Sequence, residues 1–229
     1  MGVKERQERE RDEARRTILD AARELFVAEG YQNVSIRKVA EKAEYSPASL
    51  YGYFPSKDDL FFALAEEGFR KLFEFTNAEL VARSDDPIEA LRDGFLRYYR
   101  FSRQHREYFE LMFVDRTVPS IARDWQRFAF VNEMIDEICT TVRRAVDAGQ
   151  FPPSTDPHAA FHVLWGAVHG PAVLALCARC APDEDPDLLV EDTLEVALAG
   201  LRAGTPLKFK PSPLHHSPGA TAGSGSASC

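Results

Sequence analysis

Apolar residues recur every three or four positions through most of the chain, and this spacing predicts helices. The first stripe predicts a helix over about residues 14–29 that ends at Gly30. Its members are Ile18, Ala21, Ala22, Leu25 and Phe26. No segment shows the alternation of apolar and polar positions that marks a half-buried strand. The sequence therefore predicts an all-α fold with about nine helices.

Residues 35–54 predict two short helices joined by a tight turn. Ser35 is an N-cap candidate for the first helix. The residues that follow it include an apolar set at helical spacing. Ser46 and Pro47 predict the start of the second helix, because proline suits the first helical position. Leu50 and Phe54 form its inward pair. This pattern is typical of a helix-turn-helix, which places its second helix in the DNA major groove.

These residues carry a resemblance to the TetR family of bacterial transcriptional regulators, over about residues 14–64. The matching positions in the helix-turn-helix and just after it are Ser35, Val39, Ala40, Ala43, Ser46, Leu50, Tyr51, Tyr53, Phe54, Ser56, Lys57 and Leu60. Many spacings agree at once, which makes the match specific. The segment from Trp165 to Gly170 also resembles a pattern in one branch of the family's C-terminal domains, over a much shorter stretch.

Four segments follow from the patterns and the resemblance. Residues 1–13 are a charged N-terminal arm, and residues 14–60 are a helix-turn-helix DNA-binding domain. Residues 61–204 are a helical ligand-binding and dimerisation domain. Residues 205–229 are rich in Pro, Ser, Gly and Ala, which predicts a disordered tail.

The resemblance and the helical projection together predict the residues that contact DNA. Tyr51 and Lys57, with Ser35 at its helix start, are expected to hold phosphates. Ala48 can approach a thymine methyl group, and the few polar groups left for reading bases make DNA shape a further source of specificity. The full set is Ser35, Arg37, Ser46, Pro47, Ala48, Ser49, Tyr51 and Lys57.

The net charge and two residues that depart from the family pattern bear on the predicted DNA contacts. The net charge is −8, and residues 1–60 carry 11 Lys and Arg against 12 Asp and Glu. Glu44 stands in the turn where the family usually has glycine, so it must tolerate the turn conformation and lies unfavourably near phosphates. Gly52, predicted inside the second helix, costs up to about 1 kcal/mol relative to alanine.

The body is predicted to start three helices at Asp-Pro pairs, at positions 86, 156 and 185. Further helices are predicted over about 56–81, 108–114 and 120–148, and Pro171 is expected to kink the helix over 158–178. Aromatic residues concentrate between positions 95 and 130. In the resembling family these helices enclose a cavity for a small, mostly apolar inducer. The expected lining is Tyr99, Met112, Phe113, Trp125, Phe128, Trp165 and His169.

The last two predicted helices are candidates for a homodimer interface, because two heads are needed to read a palindromic operator. Small and apolar residues form a stripe there, although the same stripe could be intrachain core. The expected interface residues are Phe161, Leu189, Thr193, Val196, Ala197 and Gly200.

The N-terminal residues contain no apolar stretch, and no run approaches the roughly 20 apolar residues of a membrane span. We therefore expect a cytoplasmic protein with reduced thiols. No enzyme motif, metal site or cofactor fingerprint is found. The expected function is a ligand-released repressor of a palindromic operator. Two alternatives stay open: a helical small-molecule-binding protein without operator binding, and a regulator that senses thiols or metals through Cys177 and Cys180.

Overall fold

The structure is a computed structural model that describes residues 2–76, 84–120 and 127–211. Within these ranges the chain forms nine α-helices and no strand, which confirms the all-α prediction. The helices are α1 (Val3–Glu29), α2 (Ile36–Lys42), α3 (Pro47–Tyr51), α4 (Lys57–Thr76), α5 (Pro87–Gln104), α6 (Arg106–Phe109), α7 (Phe130–Asp147), α8 (Pro157–Leu176) and α9 (Pro186–Arg202).

The first helix is longer than its apolar stripe. It begins at Val3, so residues 3–13 of the expected charged arm belong to α1. Residues 4–13 contribute no buried side chain, and Arg6 and Glu10 pair across one turn at 2.7 Å. The apolar stripe detects only the part of a helix that packs on other elements, so it does not reveal this exposed extension. The helix ends at Gly30, where φ is +79°.

The predicted caps define the two short helices of the head. Ser35 Oγ accepts the Lys38 N–H at 3.2 Å, and Ser46 Oγ accepts the Ser49 N–H at 3.0 Å. The turn between them passes through Glu44 at φ +61°, a left-handed conformation that disfavours a side chain. Gly52 ends α3 as its C-cap at φ −70°, so it lies at the helix end and not in the interior as predicted.

Helix α4 joins the head to the body. Ser56 caps it by accepting the Asp59 N–H at 3.1 Å and donating to the Asp59 carboxylate at 2.6 Å. The helix is described as far as Thr76, and the rest of its predicted length lies outside the described residues. The predicted domain boundary between residues 60 and 61 falls inside this helix. Its buried residues belong to a single apolar core that continues from α1 to α9.

All three predicted Asp-Pro starts are helix starts in the structure. Asp86, Asp156 and Asp185 each accept a backbone N–H from the first turn that follows, at 2.9, 2.7 and 2.9 Å respectively. These carboxylates also lie at the positive ends of their helix dipoles. The three helices α5, α8 and α9 therefore begin where the local chemistry of the sequence places them.

The middle of the body departs from the simple helical pattern. Helix α6 continues directly into a π-helical turn, Glu110–Val114. Such wide turns are rare and often occur at functional sites. The helix predicted over 120–148 is described from Phe130, after a turn at residues 127–129, and residues 121–126 lie outside the described part.

Helix α8 lies at the centre of the body, in contact with α5, α7 and α9. It continues through Pro171 as one helix. Within the described residues it is the one helix long and apolar enough to cross a membrane, with 44% of that window buried. A core helix has the same length and composition, and the packing of α8 on three neighbours matches that role.

The start of the predicted disordered tail is described. Residues 205–211 have no helix or strand, but Leu207 packs against the core and the Phe209 ring lies 4.9 Å from the His162 ring. Two apolar side chains of this short stretch thus contact the body, and the disorder of residues 205–229 stays a prediction. Residues 212–229 lie outside the described residues.

The conformation of Glu44 generates a stability prediction. We expect Glu44→Gly to raise the free energy of unfolding by about 1 kcal/mol, because glycine adopts positive φ without a Cβ clash. Glu44→Ala is the matched control, since it removes the charge but keeps the Cβ. Urea unfolding measures both variants. Equal gains for the two variants would attribute the effect to charge and contradict the conformational explanation.

Candidate nucleic-acid interface and ligand cavity

Helix α3 presents one face to the core and the other to solvent. Leu50 is fully buried and Phe54 is 2% exposed, whereas Tyr51 is 53% exposed. The predicted base-reading residues on the same helix and its cap are exposed as well. They are Ser46, Pro47, Ala48 and Ser49. The sequence pattern thus identified the solvent-exposed face of this helix. Most side chains on this face are small, so the helix can approach a DNA groove closely.

The two capping hydroxyls are already in use as acceptors. Ser35 and Ser46 each accept a backbone N–H from the next turn. A serine hydroxyl keeps its own proton to donate, so both side chains can still donate to a phosphate or a base acceptor. Their positions are fixed by the caps, which makes them pre-oriented donors.

Two of the three cations of α2 are paired with carboxylates of α1. Lys38 pairs with Glu29, and Lys42 pairs with Glu24 at 2.8 Å. The latter pair lowers the pKa of Glu24, through a hydrogen bond from Lys42 and its charge. Arg37 is exposed and makes no ion pair with any described residue. Positive charge near α2 is therefore mostly neutralised within the head.

Lys57 lies at the junction of α4 with the loop after α1. Its Nζ donates to the Tyr31 carbonyl oxygen at 2.9 Å and lies 4.1 Å from the centre of the Tyr31 ring. The Tyr31 hydroxyl in turn donates to Asp58. Lys57 is half-buried, so it has a structural role in addition to the phosphate contact predicted for it.

The body contains a cavity of about 860 Å³ between α4, α5, α7 and α8. Its lining is mostly apolar and aromatic, as in many small-molecule sites. The charged lining residues all lie on α7 and are Asp136, Glu137 and Arg144. The principal apolar lining residues are Phe69, Leu72, Phe73, Leu91, Phe95, Tyr98, Phe113, Val131, Met134, Ile135, Ile138, Phe161 and Trp165.

The structure places the seven predicted lining residues in different positions. Phe113 and Trp165 line the cavity, and Trp125 lies outside the described residues. The other four do not line it. These four are Tyr99, Met112, Phe128 and His169.

Each of the four has another partner. The Tyr99 hydroxyl donates to Asp187 on α9, and Met112 contacts α4 at Gly68. Phe128 is fully buried with its ring 5.8 Å from that of Phe69. His169 lies behind the lining, with its Nδ1 2.7 Å from the Tyr98 hydroxyl. Aromatic content identified the region, but the direction of each side chain depends on how the helices pack.

The residues that sequence reasoning missed lie mainly on α5 and α7. Phe95 and Tyr98 of α5 line the cavity, as do Met134, Ile135 and Ile138 of α7. The α7 residues fall on one face at three- and four-residue spacing, which is also the spacing of a helix face that packs in a core. Core and cavity walls have the same pattern because both are apolar faces directed inward.

Tyr98 in the cavity wall and the half-buried His169 behind it form a hydrogen-bonded polar pair. Burial raises the pKa of Tyr98, while hydrogen bonding from Trp165 opposes the rise. Burial also lowers the pKa of His169. Both groups are therefore neutral near neutral pH, and their hydrogen bond satisfies groups that would otherwise be costly to bury.

The predicted dimer residues are divided between the surface and the interior. Leu189 is 37% and Val196 72% exposed, in agreement with a free apolar face on α9. Thr193 donates to the Ala167 carbonyl on α8 at 2.8 Å, so it joins α8 and α9 within the chain. Ala197 and Gly200 are half-buried. Phe161 is buried and lines the cavity, which removes it from this face.

The sequence analysis missed part of the same face. Leu174 of α8 is 42% exposed and Leu188 of α9 is 60% exposed. Gly166 and Gly170 of α8 are exposed too, with open space where a Cβ would lie. Exposed leucines beside glycines on adjacent helices form a surface that another helix can approach closely.

A hydrogen-bonded contact at Tyr108, which we call the joint, connects the head to the body. The Tyr108 hydroxyl of α6 accepts from Arg23 of α1 at 2.7 Å and donates to Glu67 of α4 at 2.7 Å. Beside it, a Cβ on Gly68 would lie only 2.5 Å from Met112 Sδ. The helices α1, α4 and α6 therefore meet at a contact that has no spare room.

The three described cysteines are not part of a metal-binding cluster. Among the described residues no group of three or more His, Cys, Asp and Glu side chains could hold a metal ion. Cys177 is exposed and Cys180 is half-buried. Cys139 is buried, and burial raises the pKa of its thiol to about 12.

Comparison with protein families gives two matches. Residues 18–64 match the model described as bacterial regulatory proteins of the tetR family, and residues 91–197 match a tetracyclin repressor-like C-terminal domain. Together the two models span most of the chain. The first match covers the capped helices α2 and α3, and the second covers nearly the whole body.

Similar proteins of known name are transcriptional regulators. The chain is 24% identical to RutR of Escherichia coli K12 over 196 residues, covering 82% of this chain and 90% of RutR. It is also 24% identical over 107 residues to YuxN of Bacillus subtilis, an uncharacterised regulator of the helix-turn-helix type. That match covers 47% of this chain and spans 36% of the length of YuxN.

Solved structures share the fold. A Rhodococcus protein of unknown function is 25% identical, with a TM-score of 0.69 over 82% of this chain and 95% of that one. FadR from Bacillus subtilis with stearoyl-CoA is 16% identical, with a TM-score of 0.68 over 80% and 97%. AibR with isovaleryl coenzyme A and operator DNA is 19% identical, with a TM-score of 0.61 over 80% and 97%.

The capped helix-turn-helix, the helical body with its cavity and the two family matches agree. The chain belongs to the TetR family of bacterial DNA-binding transcriptional regulators.

Proposed function

We propose that the protein is a homodimeric repressor that binds a palindromic operator and is released by a small, largely apolar ligand in the body. The observation that carries this proposal is the joint between the two parts. Phe113, which lines the cavity, belongs to the same π-helical turn as Met112, which contacts α4. A ligand that displaces Phe113 therefore acts on the helix that carries the head.

The DNA contacts follow from the exposed face of α3. Ser46, Ala48 and Ser49 face solvent at its start, and Tyr51 extends from its last turn. The resemblance assigns phosphate contacts to Tyr51, Ser35 and Lys57, and Arg37 is the cation of α2 that forms no ion pair with the described residues. Phosphate contacts set the register on the duplex, while the small side chains permit close approach. AibR, which has this fold, was solved with operator DNA.

The exposed face of α8 and α9 supports a homodimer. Leu174 of α8 and Leu188, Leu189 and Val196 of α9 are large apolar side chains that the single chain leaves exposed. A twofold contact between two copies buries the same face on both. Two heads would then reach successive major grooves, whose separation is about 34–36 Å.

Release by a ligand is a linkage between two states. The ligand shifts the population only if it binds one arrangement of α4 more tightly than the other. In this protein the differential contact is at Phe113 and Met112, because a filled cavity and the tight packing at Gly68 depend on the same π-helical turn. Movement of α4 then changes the position of its head relative to that of the partner copy.

An alternative is a helical ligand-binding protein that does not bind an operator. The charge of the head favours it, since Lys38 and Lys42 are paired with carboxylates of α1 and the first 60 residues are not basic. The thiol- or metal-responsive alternative depends on the exposed Cys177 and its neighbour Cys180. Replacement of both by serine tests it, because unchanged induction would exclude that role.

A salt-dependent mobility shift tests the repressor against the first alternative. The probe is DNA from the chain's own promoter region, with scrambled DNA of the same length as control. We expect a specific shift whose affinity falls as salt rises, because phosphate contacts release counterions. The absence of a specific shift at low salt would favour the ligand-binding protein.

The hydroxyl of Tyr51 generates a second prediction. We expect Tyr51→Phe to weaken operator binding by about 1.5–3 kcal/mol per subunit, the contribution of a hydrogen bond to a charged group. Stability should change by less than about 0.5 kcal/mol, because the side chain is exposed. Tyr53→Phe is the control, since Tyr53 is half-buried with its ring 6.3 Å from that of Tyr45. Equal losses in both variants would remove Tyr51 from the phosphate contacts.

The joint at Tyr108 generates a third prediction. Tyr108→Phe removes the hydrogen bonds to Arg23 and Glu67 but leaves the cavity lining intact. We expect ligand affinity without DNA to stay the same, while the ligand's effect on operator affinity shrinks by about 1–3 kcal/mol. A ligand found by melting-temperature screening serves as the probe, and calorimetry with and without operator measures the coupling.

Tyr99→Phe is the matched control for this coupling experiment. Tyr99 is also a buried tyrosine with one carboxylate partner, but that partner is Asp187 on α9. Undiminished coupling in Tyr108→Phe, or the same reduction in both variants, would show that the joint does not transmit the response.

A further inference from the structure

The cavity has two chemically different ends. At one end the Tyr98 ring lies 6.1 Å from that of Phe113, which lies 5.8 Å from that of Phe69. The Phe69 ring lies 5.8 Å from that of Phe128, just before α7 begins. At the other end Arg144 donates to the Ser84 carbonyl at 3.2 Å, just before α5 begins. Helices α5 and α7 therefore run in opposite directions along the length of the cavity.

The separation of these ends makes the cavity elongated. Val131 and Arg144 both line it and are 13 residues apart on α7. That spacing corresponds to about 20 Å along a helix axis. The shape suits an extended molecule better than a compact one.

Charge in the lining does not favour an anion. Arg144 is the one Lys or Arg among the described lining residues, and Asp136 and Glu137 lie on the same helix between it and the aromatic end. At the aromatic end the polar groups are Tyr98 and Trp165 in the lining and His169 behind it. Burial raises the pKa of Tyr98 and lowers that of His169, so this end presents no charge near neutral pH. A carboxylate moved to that end would lose its hydration without meeting a cation.

The Tyr98 hydroxyl has hydrogen-bonding capacity to spare. If it donates to His169 Nδ1, its oxygen accepts from the Trp165 indole N–H and keeps one further lone pair that can accept from a ligand hydroxyl. If Nδ1 carries the proton and donates to Tyr98, the phenol can donate to a ligand carbonyl or hydroxyl oxygen. The 2.7 Å contact fits both tautomers, and in both the group offered to a ligand is uncharged.

We propose that this cavity selects an elongated, uncharged amphiphile whose hydroxyl or carbonyl oxygen hydrogen-bonds to the Tyr98 hydroxyl, with His169 as a positioning residue behind it. This inference rests on the proposed function, because it uses the same cavity. It distinguishes the ligand of this protein from the acyl-CoA thioesters bound by FadR and AibR.

A set of ten-carbon probes tests the ligand class on the full-length protein. 1-Decanol, decanoate and decanoyl-CoA share one chain length and differ in charge, and calorimetry gives the affinity of each. We expect 1-decanol to bind at least about tenfold more tightly than either anion, because a carboxylate or phosphate is costly to desolvate in this lining. Equal or tighter binding of decanoate or decanoyl-CoA would overturn the proposal.

Tyr98→Phe tests the contact itself, with Tyr99→Phe as the control outside the cavity. We expect roughly a threefold to tenfold loss of 1-decanol affinity in Tyr98→Phe, the effect of one neutral hydrogen bond, and no loss in the control. Unchanged affinity in Tyr98→Phe would overturn the role of Tyr98. The ranking of the three probes on the unmodified protein provides an independent test if the variant does not fold.

The outcomes also separate this inference from the proposed function. If 1-decanol binds and lowers operator affinity in both the unmodified protein and Tyr98→Phe, with equal strength, the proposed function holds and only this inference fails. If none of the three probes binds, the apolar-ligand part of the proposed function fails together with this inference.

Discussion

The packing of α4 against the π-helical turn is the constraint on which the two-part design depends. Gly68 permits this contact because its missing side chain leaves room for Met112, and a Cβ would come within 2.5 Å of the sulfur. Tyr108 completes the contact with hydrogen bonds to the first helix and to α4. Close-packed contacts of this kind have few alternative arrangements, so a change on one side shifts the equilibrium of the whole joint.

A cavity beside such a joint must be stable when empty. The aromatic rings around Phe113 support each other: the Phe109 ring lies 4.9 Å away and the His169 ring 5.4 Å away. Offset and edge-on contacts between rings stabilise a wall that does not collapse into the space. The π-helical turn that carries Phe113 is the irregular element of this wall, and π-helical turns are less regular than the helices around them.

Sequence patterns predicted the head far better than the cavity. Ser35 and Ser46 identify helix starts because a cap depends on neighbours within one turn. The resemblance predicted that Glu44 must tolerate the turn conformation, and the structure has φ +61° there. By contrast, Tyr98 and Tyr99 are adjacent, and only the packing of α5 decides that Tyr98 faces the cavity while Tyr99 faces α9. Helix-to-helix orientation is non-local information that a single sequence does not contain.

In the proposed repressor, the nearly balanced charge of the head makes dimerisation part of DNA recognition. Because Lys38 and Lys42 are bound to Glu29 and Glu24, two of the three cations of α2 are less available to neutralise phosphates. Counterion release, which drives much of non-specific binding, scales with the number of neutralised phosphates, so a single head binds weakly. Joining two heads makes the second contact intramolecular and multiplies the affinity without a new cation. In the proposed repressor the apolar face of α8 and α9 is thus as necessary for operator binding as α3. A modest movement at Gly68 suffices for release, because each head alone binds DNA with low affinity.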